Sequence, residues 1–265
     1  MCAGAAWAEE PVMPNLWDAK ERLAKPDLSS LQRIRFLTTV DFPPFNFLDP
    51  AGRLSGFHID LVRAICRELD VTAKCQVQAL PWDELEQALE SGEGEAGIAG
   101  IAVTEQNRER FAFSRPYLTF PARFVTSRSS AVDEPLRERL KGQRVGVVRT
   151  SAHEKMLAAY FPALMAVPFE RQELMLTALR SGQIAAAFGD GMRLGFWLSA
   201  SESGNCCKFA GGAYLGPEYL GAGLAIAVAP HNARLAAAFD FALHELNAEG
   251  AFAELYLRYF PIGFY

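Results

Sequence analysis

The stretch GFHIDL at residues 56–61 decides the fold, together with DFPPF at 41–45 and WDEL at 82–85. Apolar residues recur at helical spacing from Phe57 to Leu69, so a helix is predicted to begin inside the first stretch. Residues 33–40 are β-like and precede the proline-rich turn. A strand, a turn and a helix in this order predict the opening of an α/β unit.

The alternation continues along the chain and then restarts. Small apolar residues at 96–103 predict a buried parallel strand. A second series begins with a predicted strand at 144–148 and a helix at 151–160. It continues with a helix at 170–180 and a strand at 185–188, and a helix containing Leu194, Phe196 and Trp197 follows. Strands that alternate with helices predict parallel sheets built from βαβ units, which places the chain in the α/β class.

Composition and motifs exclude several functions. The chain has 265 residues, of which 50% are hydrophobic, and a net charge of −5, so it can build a core and offers no basic footprint for nucleic acid. Phosphate-binding, dinucleotide-binding and nucleophile-elbow motifs are absent. The histidines show no metal-ligand spacing and are expected to be surface or helix-cap residues. The sequence therefore predicts no metal, no cofactor and no catalytic residues.

The motifs follow one another in an order that resembles the solute-binding proteins of amino-acid ABC importers, the bacterial extracellular solute-binding proteins of family 3. The resemblance runs from about Arg33 to Phe260. Its pieces are FPPF (42–45), GFHIDL (56–61), Thr104 through Tyr117, KGQRVG (141–146), Gly182 through Asp190, and GAGL (221–224).

This resemblance implies a two-lobed periplasmic-binding fold, in which each lobe is a βαβ-type sheet flanked by helices and two crossing strands form the hinge. Lobe 1 is expected at residues 33–120 and 222–265, and lobe 2 at 121–221. Residues 1–32 are expected to hold the remnant of a secretion signal, with small residues at Ala6 and Ala8, and an N-terminal arm.

A small polar ligand, an amino acid or a close analogue, is the molecule that the resemblance implies would be captured between the lobes and delivered to an ABC permease. The protein is then a periplasmic monomer and not an enzyme. Two alternatives remain open: an enzyme on the same fold, similar to periplasmic dehydratases, and a ligand-sensing domain.

The resemblance also implies roles for individual residues. Phe42 would cover the ligand, Asp190 would pair with its ammonium group, and Ser151 would stand at a helix N-terminus able to hold an anion. Ordinary roles stay open beside these, Phe42 as core and Asp190 as a helix cap. The candidate ligand-binding residues are Phe42, Phe45, Gly100, Ala102, Thr104, Asn107, Arg108, Ser151, Ala152 and Asp190.

The candidate site departs from the family pattern where a carboxylate would be held. The family places an arginine three residues after the threonine that matches Thr104, and this arginine grips the ligand carboxylate. Here that position is Asn107, and Arg108 follows it, turned by about 100° on a helix. Ala102 replaces a hydroxyl-bearing residue. Whether Arg108 takes over from the missing arginine stays open.

Two pairs of cysteines lie close in sequence. Similar close pairs occur in relatives, and an oxidising compartment would let Cys66 and Cys75 form a disulfide. Cys206 and Cys207 are adjacent, and neighbours rarely bond because the geometry strains the peptide between them. They are therefore expected to be a loop feature or free thiols.

Overall fold

The structure is a computed structural model that describes residues 16–18, 20–130, 135–260 and 262–265. The chain forms two compact units. The first unit contains the described residues up to Phe120 together with Leu215–Tyr259, and the second contains Pro121–Tyr214 together with Phe260–Tyr265. Relative to the expected lobes, residues 215–221 group with the first unit and residues 260–265 with the second. The expected signal remnant lies outside the described residues.

Most strands of the described ranges are short. They are β1 (Ile34–Thr38), β2 (Asp41–Phe42), β3 (Asn46–Leu48), β4 (Leu54–Ser55), β5 (Cys75–Ala79), β6 (Ala96–Gly97), β7 (Ala112–Phe113), β8 (Ala122–Ser127), β9 (Arg144–Val148), β10 (Met165–Phe169), β11 (Ala186–Asp190), β12 (Cys207–Tyr214) and β13 (Ala227–Val228).

The helices lie between these strands and at the end of the chain. They are α1 (Phe57–Glu68), α2 (Trp82–Glu90), α3 (Glu105–Arg110), α4 (Leu136–Arg139), α5 (Ala152–Tyr160), α6 (Gln172–Arg180), α7 (Gly191–Ser199), α8 (Pro217–Leu220), α9 (Ala233–Ala248) and α10 (Ala251–Tyr259). None of them has the length and apolarity that crossing a bilayer requires.

The first unit is built on a five-stranded sheet in the order β5-β1-β6-β13-β7. Strand β1 runs parallel to β5 and β6, and β13 runs antiparallel to β6 and β7. A small antiparallel sheet, β2-β3-β4, carries the proline-rich turn. Helix α1 packs against α9 and α10. The parallel core of this sheet confirms the βαβ reading of its sequence.

Helix α1 explains why the stretch at 56–61 has its particular residues. Gly56 precedes the helix at φ 128°, where a Cβ would collide with the carbonyl oxygen of Phe45. Asp60 accepts hydrogen bonds at Oδ2 from the Tyr259 hydroxyl at 2.8 Å and from Arg258 Nη1 at 3.0 Å. This carboxylate therefore ties α1 to α10.

The second unit has a five-stranded sheet in the order β10-β9-β11-β8-β12. Strand β9 is parallel to β10 and β11, whereas β8 is antiparallel to both β11 and β12. Phe124 and Phe188, both fully buried, lie 4.6 Å apart between ring centroids at its core. Parallel strands end at the same edge, and Val148 and Asp190 close β9 and β11 there.

The strand expected at residues 96–103 is shorter than predicted. Only Ala96 and Gly97 pair in the sheet, and the chain then leaves it as an irregular segment. Gly100 has φ +89°, a conformation that breaks strand geometry. The consequence is that residues 99 and 100 end up beside Phe42 and not inside the sheet.

The four cysteines in the described ranges form two disulfides. Cys66 and Cys75 are bonded, as expected, and the bond joins α1 to β5. Cys206 and Cys207 are also bonded to each other, so the expectation of a loop feature or free thiols is wrong. The backbone there is held on both sides, because Cys206 N donates to Ser203 O and Cys206 O accepts from Arg128 N.

We expect the double substitution Cys66→Ala/Cys75→Ala to lower the free energy of unfolding by roughly 2–3 kcal/mol, the value for a cross-link that closes a loop of about ten residues. Urea denaturation followed by circular dichroism measures it. The matched control is Cys206→Ala/Cys207→Ala, which opens a bond that closes no loop and should cost less. Equal urea midpoints for the Cys66→Ala/Cys75→Ala variant and the parent chain would contradict the prediction.

Candidate functional site

A buried polar network lies under the proline-rich turn of the first unit. The His58 ring is fully buried, with Nδ1 2.7 Å from Asn46 Oδ1 and Nε2 2.8 Å from the Tyr117 hydroxyl. Asn46 Nδ2 donates to Thr39 Oγ1 at 2.7 Å and to the Thr39 carbonyl at 3.1 Å. Burial lowers the pKa of His58 to about 3. The neutral ring therefore donates from Nδ1 and accepts at Nε2.

Two phenylalanines rest on this network. Phe45 is fully buried, and its ring lies 4.9 Å from that of His58. Phe42 is half-buried and stacks on Phe45 at 4.7 Å between centroids. One face of Phe42 is thus covered by protein, and the ring also lines a cavity. Of the two candidates, Phe42 is available to a ligand and Phe45 supports it.

The first-unit pocket is the cavity beside Phe42, with a volume of about 300 Å³. Its charged group is the carboxylate of Asp41, which has no hydrogen-bond partner among the described residues. Trp82, 47% exposed, supplies a second ring. The lining residues are Thr39, Asp41, Phe42, Trp82, Ala99, Gly100 and Leu224.

The expected carboxylate cradle is arranged differently. Thr104 caps α3 by accepting a hydrogen bond from Asn107 N at 3.1 Å. The Asn107 side chain turns back, and its Nδ2 donates to the Ala102 carbonyl at 2.9 Å. Arg108 is exposed and has no partner among the described residues. None of these four residues lines the first-unit pocket, which contains only Phe42 and Gly100 of the first-unit candidates.

The second-unit pocket lies at the end of β9 and β11 where α5 and α7 begin, and its volume is about 350 Å³. It contains two of the predicted residues, Ser151 and Asp190; Ala152 does not line it. The lining residues are Val148, Ser151, His153, Arg171, Gln172, Glu173, Met175, Phe188, Gly189, Asp190 and Arg193.

Ser151 is the N-cap of α5. Its hydroxyl accepts from Glu154 N at 3.1 Å and donates to the Val148 carbonyl at 2.6 Å. Because the hydroxyl proton is used, this group can offer a ligand only a lone pair. The capacity for an anion lies instead in the backbone N–H groups of the first turn, which have no intrahelical acceptor.

Asp190 caps α7 with one oxygen. Its Oδ1 accepts from Arg193 N at 2.8 Å, and its Oδ2 has no hydrogen-bond partner among the described residues. An ionised carboxylate accepts several hydrogen bonds, so capping and ligand binding can coexist at this residue. Both roles that the sequence left open for Asp190 are compatible with this geometry.

His153, which is not among the candidate ligand-binding residues, also lines the second-unit pocket. Its Nε2 is buried and has no hydrogen-bond partner in the described part of the chain. Burial lowers the pKa of His153; Asp190 opposes this shift and Arg193 adds to it. The expectation of a surface or helix-cap position is wrong for His58, which is fully buried, whereas His153 is half-buried and its ring packs against Phe188.

Trp82 was also missed, although its motif was noted. Trp82 is the first residue of α2, after Pro81, and its 47% exposure is visible in the structure but not in the sequence. Among the described residues there is no group of three or more side chains suited to hold a metal ion.

The family model of the bacterial extracellular solute-binding proteins, family 3, matches residues 34–262. The chain belongs to this family. It is 30% identical over 234 residues to the putative ABC transporter arginine-binding protein 2 of Escherichia coli (strain K12), which covers 88% of this chain and 92% of that protein. It is 28% identical over 245 residues to the L-arginine-binding protein of Pseudomonas aeruginosa, and the alignment covers 92% of this chain and 93% of that protein.

A solved structure shows the same fold. The L-cystine solute receptor of Neisseria gonorrhoeae in the unliganded open conformation aligns with a TM-score of 0.73 at 21% identity, and the alignment covers 88% of this chain and 94% of that one. Together these matches confirm the two-lobed α/β periplasmic-binding fold, the solute-binding function in ABC import and the periplasmic location. The curated relatives are binding proteins, which supports binding over the enzyme alternative.

The buried His58 ring predicts a pH-dependent stability. Its folded-state pKa of about 3 lies below the unfolded value of 6.5, so its contribution is complete above pH 6.5 and is lost as the pH falls toward 3. Between pH 7 and pH 4.5, the parent chain should lose roughly 2–3 kcal/mol more unfolding free energy than His58→Gln, since each pKa unit corresponds to about 1.4 kcal/mol.

Urea denaturation at both pH values tests this. His231→Gln is the matched control, because His231 is exposed, and it should follow the parent chain. If His58→Gln lost as much stability as the parent chain between the two pH values, His58 would not be the titrating group.

Proposed function

We propose that the chain captures an amino acid or close analogue that contacts the pockets of both units, and that it hands this ligand unchanged to the permease of an ABC importer as a monomer. The observation that carries the proposal is the Asp190 carboxylate, which keeps Oδ2 without a protein partner in a cavity of about 350 Å³. The arginine-binding names of the relatives agree with a ligand that carries a cationic group.

Each candidate residue receives a role from its contacts. Asp190 would accept hydrogen bonds from an ammonium or guanidinium group through Oδ2, a charge-assisted interaction. Phe42 would cover an apolar or cationic part of the ligand with its ring. The first-turn N–H groups of α5, at Ala152 and His153, would meet a polar or anionic group. Thr104, Asn107 and Ala102 bond to one another and would support the first-unit pocket from outside.

Binding of such a ligand is coupled to the conformation of the protein. A ligand that contacts both units stabilises the arrangement in which both sets of contacts form, and it shifts the population toward that arrangement. A permease that recognises only this arrangement then distinguishes loaded from empty protein. The cycle needs no acid–base pair, because no covalent bond changes.

A ligand screen tests the proposal. We expect at least one of L-arginine, L-lysine, L-histidine, agmatine and putrescine to raise the melting temperature of the purified chain, since a ligand that binds only the folded state stabilises it by mass action. Native mass spectrometry should show one ligand per monomer. No shift with any of the five compounds would contradict the proposed ligand class.

The role of Asp190 has its own prediction. Asp190→Asn keeps the capping oxygen for Arg193 N but removes the charge, so it should raise the Kd of the tightest compound roughly 10- to 100-fold, since a charged hydrogen bond contributes about 1.5–3 kcal/mol. Isothermal titration calorimetry measures the Kd. Glu202→Gln, an exposed carboxylate of the same unit outside the pocket, is the control. An unchanged Kd in Asp190→Asn would remove this residue from the binding site.

A further inference from the structure

The charged lining of the first-unit pocket is entirely negative. Its charged lining group is a carboxylate, Asp41, and this carboxylate has no protein hydrogen-bond partner among the described residues. Two aromatic rings, Phe42 and Trp82, flank it, and the rest of the lining is uncharged. Ring faces and a carboxylate both attract a cation and repel an anion.

No cationic side chain lines the first-unit pocket to reverse this sign. Asn107 is neutral, and its amide donates to the Ala102 carbonyl. Arg110 forms ion pairs with Glu86 at 2.6 Å and with Glu90 at 2.7 Å. Arg108 is exposed and does not line the pocket. A ligand carboxylate placed in this pocket would therefore lose its water without gaining a cationic side chain, which is costly.

We propose that the first unit binds an ammonium or guanidinium group, and that the preferred ligand is an amine or guanidine analogue of a cationic amino acid that lacks the carboxylate. The inference rests on the proposed function and narrows its ligand class. An ammonium or guanidinium group in the first-unit pocket can donate charge-assisted hydrogen bonds to the Asp41 carboxylate. The amino acid itself adds a negative group for which the first-unit pocket provides no cation.

Two matched pairs of compounds isolate the carboxylate: agmatine against L-arginine, and cadaverine against L-lysine. Each pair differs only by that group. Calorimetry on the full chain at physiological salt should give a Kd at least tenfold lower for the carboxylate-free member of each pair. L-argininamide, in which the carboxylate is neutralised, should bind closer to agmatine than to L-arginine.

A variant links the preference to the pocket. Asp41→Asn should weaken agmatine binding at least fivefold and shrink the difference between agmatine and L-arginine, because the pocket then repels a carboxylate less. Asp83→Asn is the control, because Asp83 is exposed and does not line the pocket. It should leave the Kd of agmatine and the difference between agmatine and L-arginine unchanged. Circular dichroism melts check that both variants fold.

The outcomes separate the two proposals. If L-arginine binds as tightly as agmatine, or more tightly, the carboxylate-free class is overturned while the solute-binding function stands. An unchanged ratio in Asp41→Asn would overturn the role of the first-unit pocket in selecting the ligand. If neither the carboxylate-free compounds nor L-arginine and L-lysine bind, the proposed ligand class and this inference both fail.

Discussion

The hydrogen bonds of the His58 ring hold together three parts of the first unit that are distant in sequence. Asn46 lies on β3, His58 in the first turn of α1, and Tyr117 just before the chain leaves the unit. The ring satisfies one acceptor and one donor only as a neutral tautomer, and a buried donor or acceptor without a partner costs about 1–3 kcal/mol. Strand β2, which carries Asp41 and Phe42, therefore lies on a network of polar contacts that a shifted register would break.

Much of the fold follows from local patterns. The alternation of strands and helices predicted both sheets, and the predicted helix N-terminus at Ser151 and helix cap at Asp190 are present in the structure. Cap residues can be read from sequence because a short side-chain acceptor next to a helix start has one dominant use. The Cys66–Cys75 bond was expected because relatives carry a similar close pair of cysteines.

What could not be predicted depends on contacts between distant segments. His58 and His153 pack against aromatic rings that other elements bring to them, and the spacing of residues in the sequence does not indicate these contacts. The pairing of Cys206 with Cys207 needs a backbone that only its hydrogen bonds reveal. The strand predicted at 96–103 is too long because a small apolar run resembles a buried strand, although only Ala96 and Gly97 pair in the sheet.

The three capping residues differ in what they leave for a ligand. The Thr104 hydroxyl serves Asn107 N and lies outside the first-unit pocket. The Ser151 hydroxyl has its proton committed to Val148 and one lone pair committed to Glu154 N. Asp190 alone of the three has a whole oxygen in reserve after capping its helix, and an oxygen with only lone pairs selects a ligand rich in donors. The spare oxygen of Asp190 therefore favours a cationic group in the second-unit pocket, and the unpartnered carboxylate of Asp41 does the same in the first-unit pocket, where the neutral residues at 102 and 107 supply no opposing charge.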